Sequence, residues 1–195
     1  MKKIILASKS PRRKQLLKSI KLKFEVVVSN LNEDLIVEKN PKKLVEKISK
    51  QKAKTVAKKH KNAIIIAADT IVVLDGGIIG KPGSKKEAIE ILKKLSNRSH
   101  EVITGFTVLD SKTKKIVTKS VVSKVYFKKL TEKEILVYVE TGEPMDKAGA
   151  YGVQDRAGAF IEKIEGDFFN VVGLPIFNVC KALLKFDINI ISHWK

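Results

Sequence analysis

Residues 63–70 read AIIIAADT, the most hydrophobic run of the chain, closed by a carboxylate and a hydroxyl. Six apolar residues in succession suit a strand buried on both faces, as in the middle of a parallel α/β sheet. On this reading the strand ends at Ala68 and Asp69 stands at its carboxyl end, where α/β sheets bind ligands. Partial desolvation there suits a general base or a metal ligand. A carboxylate capping a turn through backbone N–H groups is the competing reading.

A second stretch, LASKSPRRKQLL (6–17), has the form of a strand emptying into a polar turn and then a helix. Pro11 suits the first helical position, and Leu16, Leu17 and Ile20 supply an apolar face. Ser8, Ser10, Arg12 and Arg13 then crowd the positive end of the helix dipole, a combination suited to a multiply charged anion. The plainer alternative is a junction capped by Ser10 with both arginines in solvent. Two cations at a helix N-terminus oppose the dipole unless an anion lies between them. The chain has only four arginines (12, 13, 98 and 156), and two of them are here.

With 195 residues and 44% apolar content the chain can bury a substantial core, and no linker or repeat divides it. A formal net charge of +18 invites a nucleic-acid reading. The excess is lysine spread along the whole chain, without aromatics interleaved with arginine, so no specific nucleic-acid site is expected. Cys180 is the lone cysteine, which excludes a disulfide framework. No stretch approaches the roughly 20 apolar residues that span a bilayer. The expectation is a soluble, cytoplasmic protein without a membrane partner.

In order, strands are expected at 24–28, 63–68, 71–74, 100–109, 116–127 and 160–164. Helices are expected at 41–59, 85–95, 131–140 and 176–185, with T-x-x-E (131–134) as a capping box. Glu33 and Asp34, in the loop after the second strand, are two carboxylates able to serve Mg²⁺. GKP (80–82) is no Walker A loop, since Pro82 replaces the needed Ser or Thr, but a lysine in a rigid turn still neutralises phosphate. His100-Glu101 lacks the second histidine of a zincin, and three histidines with one cysteine assemble no transition-metal site. DKAGAYGVQ (146–154) combines glycines with Tyr151 and Gln154, an aromatic face and a carboxamide suited to a nucleobase; a tight hairpin connection is equally consistent.

Six stretches taken together, LASKSPRRKQLL (6–17), AADTIVV (67–73), GKP (80–82), LSNRSHEVITG (95–105), ETGEPMDKAGAYGVQ (140–154) and NVVGLPI (170–176), resemble the Maf family of septum-formation-inhibitor-like proteins. The resemblance covers nearly the whole chain. It implies a single domain over 1–195 with an α/β fold like that of the inosine-triphosphate pyrophosphatases: an elongated mixed sheet flanked by helices, with a nucleotide cleft between two lobes. It implies hydrolysis of a nucleoside triphosphate to monophosphate and pyrophosphate, dependent on a divalent cation such as Mg²⁺ or Mn²⁺, and a homodimer. Asp69 matches the family's proton acceptor and Arg12, Thr70 and Gln154 its specificity positions. Ser8, Arg13, Glu33, Lys52 and Lys81 match positions for phosphate or metal, the lysines stabilising developing charge. The K-A-G-A-Y-G-x-Q form resembles the branch acting on dTTP and UTP. A Gln side chain offers the donor and acceptor that pair with the O4/N3 edge of uracil or thymine.

The chain departs from the family twice. Asp155-Arg156 stands where a small residue is usual, at the rim of the expected base pocket. Asn97 replaces the Gly of L-S-G-R-x-H, a turn that Asn can sustain in a left-handed backbone. The alternative function is the one behind the family's name, a non-catalytic regulator of septum formation and cell division.

Overall fold

The computed structural model describes residues 2–194. The strands are β1 (Lys3–Leu6), β2 (Glu25–Val26), β3 (Ala63–Leu74), β4 (Gly77–Ile79), β5 (Ser99–Asp110), β6 (Ile116–Phe127) and β7 (Ile161–Glu165). The helices are α1 (Pro11–Ser19), α2 (Pro41–Ala57), α3 (Lys85–Leu95), α4 (Glu132–Glu140), α5 (Phe168–Val172) and α6 (Ile176–Leu184). The strands form one seven-stranded sheet in the order β2-β1-β3-β5-β6-β7, with β4 also on β3. It is mixed: β1 pairs in parallel with β2 and β3, whereas β4 on β3 and β7 on β6 are antiparallel. This is the expected α/β class with a mixed sheet and flanking helices.

The chain divides into two compact units of discontinuous segments. The first comprises Met1–Asp69, Thr104–Val121 and Gly173–Lys195. Its core packs Ile5 and Ala7 of the β1 strand and its exit, Ile65 and Ala67 of β3, and Ala53 and Val56 of α2. Helix α2 approaches β5 at Gly105, where a Cβ would overlap the Val45 carbonyl and fall 2.7 Å from Glu46 N. Only glycine allows that approach. Beside it, Ser49 Oγ lies 3.0 Å from Thr107 Oγ1, itself 2.9 Å from Thr118 Oγ1, so buried hydroxyls satisfy one another there.

The second unit comprises Thr70–Ile103 and Val122–Val172. Ala88, Ile91, Leu92 and Leu95 of α3 pack with Ile135, Tyr138 and Val139 of α4 around an aromatic group of Phe127, Tyr151 and Phe160. The capping box at Thr131 forms as expected, with Glu134 accepting from the Thr131 N–H at 2.8 Å. Asn97 takes φ 58°, the left-handed turn expected where the family has glycine.

Three expectations need correction. The strand does not stop at Ala68: β3 runs unbroken through Asp69 and Thr70 to Leu74, joining the two strands expected at 63–68 and 71–74. No Gly or Pro interrupts that stretch, and an inward carboxylate is tolerated because a lysine meets it. The expected strand at 24–28 shrinks to Glu25–Val26, which pair with Ile5 and Leu6, the last two residues of β1 before the chain turns away. Helix α5 was not expected, since Gly166 and Gly173 enclose only a few residues.

Candidate active site

The turn leaving β1 is built as its sequence dictates. Ser10 caps α1, its Oγ accepting from the Arg13 N–H at 3.5 Å, and Pro11 occupies the first helical turn. Ser8 is buried, and its Oγ accepts from the Ser10 N–H at 3.2 Å and from Arg13 Nη1 at 3.3 Å. A hydroxyl whose lone pairs are so used has its O–H left to donate, the polarity an anion needs. The capping role of Ser10 is realised and its proton remains a donor, but the plainer reading, which also left both arginines in solvent, does not hold for Arg13.

Arg13 bends back over the sheet. Its Nε donates to Gly173 O at 2.8 Å and Nη1 to Ala68 O at 2.9 Å, so it ties α1 to the residue preceding Asp69. The residue as a whole is half-buried, but its charged head is enclosed; desolvation lowers its pKa, opposed by the nearby charges of Asp69 and Glu33. Much of Arg13 is thus engaged by protein carbonyls. Arg12, on the same turn, is partly exposed.

Asp69 lies within β3 yet still at an edge. Strand β1 pairs with β3 only as far as Leu6 opposite Ile66, and Ala7 N–H donates to Ile66 O at 2.7 Å before the chain turns away. Asp69 is therefore three residues beyond the last parallel partner, where the sheet opens. Its Oδ1 accepts from Lys52 Nζ at 2.8 Å, and the same ammonium lies 2.8 Å from Glu33 Oε2. Lys52 comes from the buried face of α2 and Glu33 from a 3₁₀ turn, Glu33–Leu35. The Lys52 and Asp69 side chains are 9% and 13% exposed, that of Glu33 45%. The side chain of Asp34 lies outside the described residues.

One oxygen of each carboxylate is engaged by Lys52, which leaves Asp69 Oδ2 and Glu33 Oε1 as hard ligands of the type a divalent cation takes together with water and phosphate oxygens. Among the described residues no group of three or more His, Cys, Asp or Glu gathers as a self-sufficient metal site. A cation here would depend on a phosphate-bearing ligand to complete its shell.

The remaining expected residues lie in the second unit. Lys81 is exposed, in the turn after β4, and Gly80 O accepts from the Gly149 N–H at 3.0 Å, tying that turn to the 146–154 stretch. Gln154 is exposed, and Thr70 partly so. Tyr151 is not placed for stacking on a base: it is 6% exposed, its ring meets His100 and Phe127 edge-on, and its hydroxyl is 2.7 Å from His100 Nε2. Its hydrophobicity wins over the expected display. Asp155 and Arg156 pair locally, Asp155 Oδ2 with Lys147 Nζ at 3.7 Å and Arg156 Nη1 with Glu143 Oε2 at 3.2 Å. Lys147 was not singled out by sequence; in so lysine-rich a chain nothing marks a buried one.

A mixed α/β sheet whose parallel strands end at an ammonium shared by two carboxylates, beside a helix N-terminus bearing hydroxyls and arginines, has the chemistry that suits a phosphate-bearing ligand. The chain belongs to the Maf-like protein family, whose sequence model matches residues 3–186. A relative from Alkaliphilus metalliredigens (strain QYMF), named dTTP/UTP pyrophosphatase, is 51% identical over 193 residues, 98% of this chain and 100% of the relative. A relative of the same name from Alkaliphilus oremlandii (strain OhILAs) is 49% identical over the same shares. Among solved structures, a HAM1 protein from Coxiella burnetii superposes with a TM-score of 0.54 at 14% identity, covering 95% of this chain and all of that one; the likeness is one of fold.

Proposed function

We propose that this chain is a nucleoside triphosphate pyrophosphatase that converts dTTP and UTP to the monophosphates and pyrophosphate. The observation that carries the reading is the Lys52 ammonium held 2.8 Å from both Asp69 and Glu33 at the open end of the parallel strands. The base preference follows the relatives' name and the Gln at position 154. In this reading Asp69 Oδ2 accepts the proton of the attacking water, or orients that water, as its oxygen adds to the α-phosphorus. The bond from the α-phosphorus to the bridging oxygen breaks, and the electron pair leaves on pyrophosphate. The O–H groups of Ser8 and Ser10, Arg12 and Lys81 receive phosphate oxygens, with Arg13 holding the turn and contributing charge. Developing negative charge is met by preorganised donors and by Lys52. Thr70 and Gln154 address the base.

Glu33 and Asp69 would hold a divalent cation, Mg²⁺ or Mn²⁺. When bound, that cation supplies charge neutralisation on the phosphate oxygens and lowers the pKa of a coordinated water. The substrate implies a cytoplasmic enzyme with no specific nucleic-acid or membrane partner, and the family resemblance a homodimer. Among the described residues no helix is long and apolar enough to cross a membrane.

The test is incubation of the purified chain with Mg²⁺ and dTTP, UTP, CTP, GTP, 7-methyl-GTP or ATP, with products resolved by anion exchange. Monophosphate plus pyrophosphate from dTTP and UTP, abolished by Asp69→Asn, is expected. Preference for 7-methyl-GTP would overturn the base assignment, and no turnover with any nucleotide or metal would overturn the enzyme in favour of the division regulator.

A further inference from the structure

Lys147 is buried, with 8% of its side chain exposed. Its ammonium donates to Glu143 O at 2.7 Å and to Asp146 Oδ1 at 2.7 Å, with Asp155 Oδ2 at 3.7 Å. Two hydrogen bonds and a third carboxylate within ion-pair distance make the burial of this charge tolerable. The aliphatic stem has a second contact: a Cβ added to Gly152 would fall 2.7 Å from Lys147 Cε, 2.9 Å from Cδ and 2.8 Å from Asp155 Oδ2. The backbone at Gly152 rests on the stem and the Asp155 carboxylate faces the head.

Those two residues bracket Val153 and Gln154. Asp155 N–H donates to Gly152 O at 3.2 Å, closing the turn, and Tyr151 before it is anchored in the ring cluster with His100 and Phe127. Within this frame Gln154 is exposed, and its carboxamide has no hydrogen-bond partner among the described residues. The turn that carries this exposed side chain is thus pinned on both sides, while the carboxamide itself stays available to a ligand.

We propose that Lys147 is a specificity-positioning residue, which fixes the 152–155 turn so that the Gln154 carboxamide meets the O4/N3 edge of a uracil or thymine base. The base assignment rests on the function proposed above; the fixing of the turn does not. Asp155, whose carboxylate lies 3.7 Å from the Lys147 ammonium and against Gly152, supplies part of this clamp.

Two measurements on the full chain test this. In amide hydrogen exchange, Lys147→Met, which keeps the stem and removes the charge, is expected to speed exchange at 152–155 by about tenfold or more while α4 is unchanged. In kinetics with Mg²⁺, the ratio of kcat/KM for dTTP over dCTP is expected to fall by about tenfold, through a raised KM for dTTP with kcat within about twofold. Lys147→Arg, which keeps the charge, should restore part of the ratio. Equal losses for dTTP and dCTP, or unchanged exchange at the turn, would overturn the proposal. If Lys147→Met does not fold, Asp155→Asn, which alters only the partially exposed partner, must move both readouts in the same direction or the proposal fails. A wild-type chain that hydrolyses no nucleotide sinks the proposed function, and the exchange experiment alone then decides whether Lys147 fixes the turn.

Discussion

Lys52 Nζ and Asp69 Oδ1 are 2.8 Å apart, and both side chains are largely withdrawn from water. Removing one partner of such a pair leaves the other charge uncompensated, whereas removing both does not. Lys52→Met is therefore expected to lower stability by about 2–4 kcal/mol, because Asp69 and Glu33 then face each other with no ammonium between them and only Arg13 nearby. Lys52→Met combined with Asp69→Asn should regain more than half of that loss in urea unfolding and none of the activity. Strict additivity of the two substitutions would show that the contact is energetically idle.

The position of Lys52 depends on how α2 meets the sheet. Gly105 admits the helix backbone at Val45 and Glu46, and the Ser49–Thr107 contact lies one turn before Lys52. Gly105→Ala must push α2 outward, at a cost of about 3 kcal/mol or more, since backbone and not a flexible side chain is in the way. Thr107→Val removes the hydroxyl contacts to Ser49 and Thr118 without moving the backbone and should cost about 1–2 kcal/mol. If turnover follows the position of Lys52, Gly105→Ala in its folded state loses kcat while Thr107→Val keeps most of it. Equal kcat for both, measured at a temperature where each is folded, would separate α2 docking from catalysis.

Ser10 is at once an N-cap and a candidate phosphate donor, and the two roles separate on substitution. Its cap bond to the Arg13 N–H is long, at 3.5 Å, whereas Thr131 and Glu134 form a reciprocal box with bonds of 2.8 and 3.2 Å. Thr131→Ala should cost about 1–2 kcal/mol and Ser10→Ala about 0.5 kcal/mol or less. A donor to substrate would nonetheless make Ser10→Ala raise KM several-fold, which steady-state kinetics reads directly. An unchanged KM would reduce Ser10 to the cap alone.

How much of this was legible in the sequence depended on whether the signal was local. The β6 strand, the Thr131 cap and the left-handed Asn97 follow from periodicity, cap chemistry and turn preference within a few residues. The β3 strand was read one residue short of Asp69 because a carboxylate disfavours a strand by propensity, and its partner lies seventeen residues earlier on a helix. Tyr151 read as a displayed ring because its neighbours are glycines; His100 and Phe127, which cover it, are distant in sequence. Lys52 and Lys147 were the least legible of all. Burial is what distinguishes them from the other lysines, and burial is a tertiary property.

His100 offers a pH test of the second unit that is independent of activity. It is 2% exposed, its Nε2 contacts the Tyr151 hydroxyl, and its Nδ1 has no hydrogen-bond partner among the described residues. Protonating the ring would place a charge away from water and an N–H with nothing to accept it. Desolvation accordingly pushes the pKa down from 6.5 to about 4. Between those values the unfolded chain binds the proton and the folded chain does not, so folding stability is full above about pH 6.5 and is lost as the pH falls toward 4. The difference corresponds to about 3 kcal/mol. Asp110, where burial is outweighed by hydrogen bonds from Lys2, Lys112 and Thr113, and Glu134, bonded by Lys128 and Thr131, are both held at about 2 and lose their contributions at lower pH, as it falls below the ordinary carboxylate range. Urea unfolding at pH 7.5 and 4.5 should therefore show a loss in the wild type that His100→Gln largely removes, since an amide does not titrate. A wild type and a His100→Gln variant that lose stability in parallel over this interval would mean that the imidazole is solvated on the acid side and that the ring cluster around Tyr151 opens before the fold does.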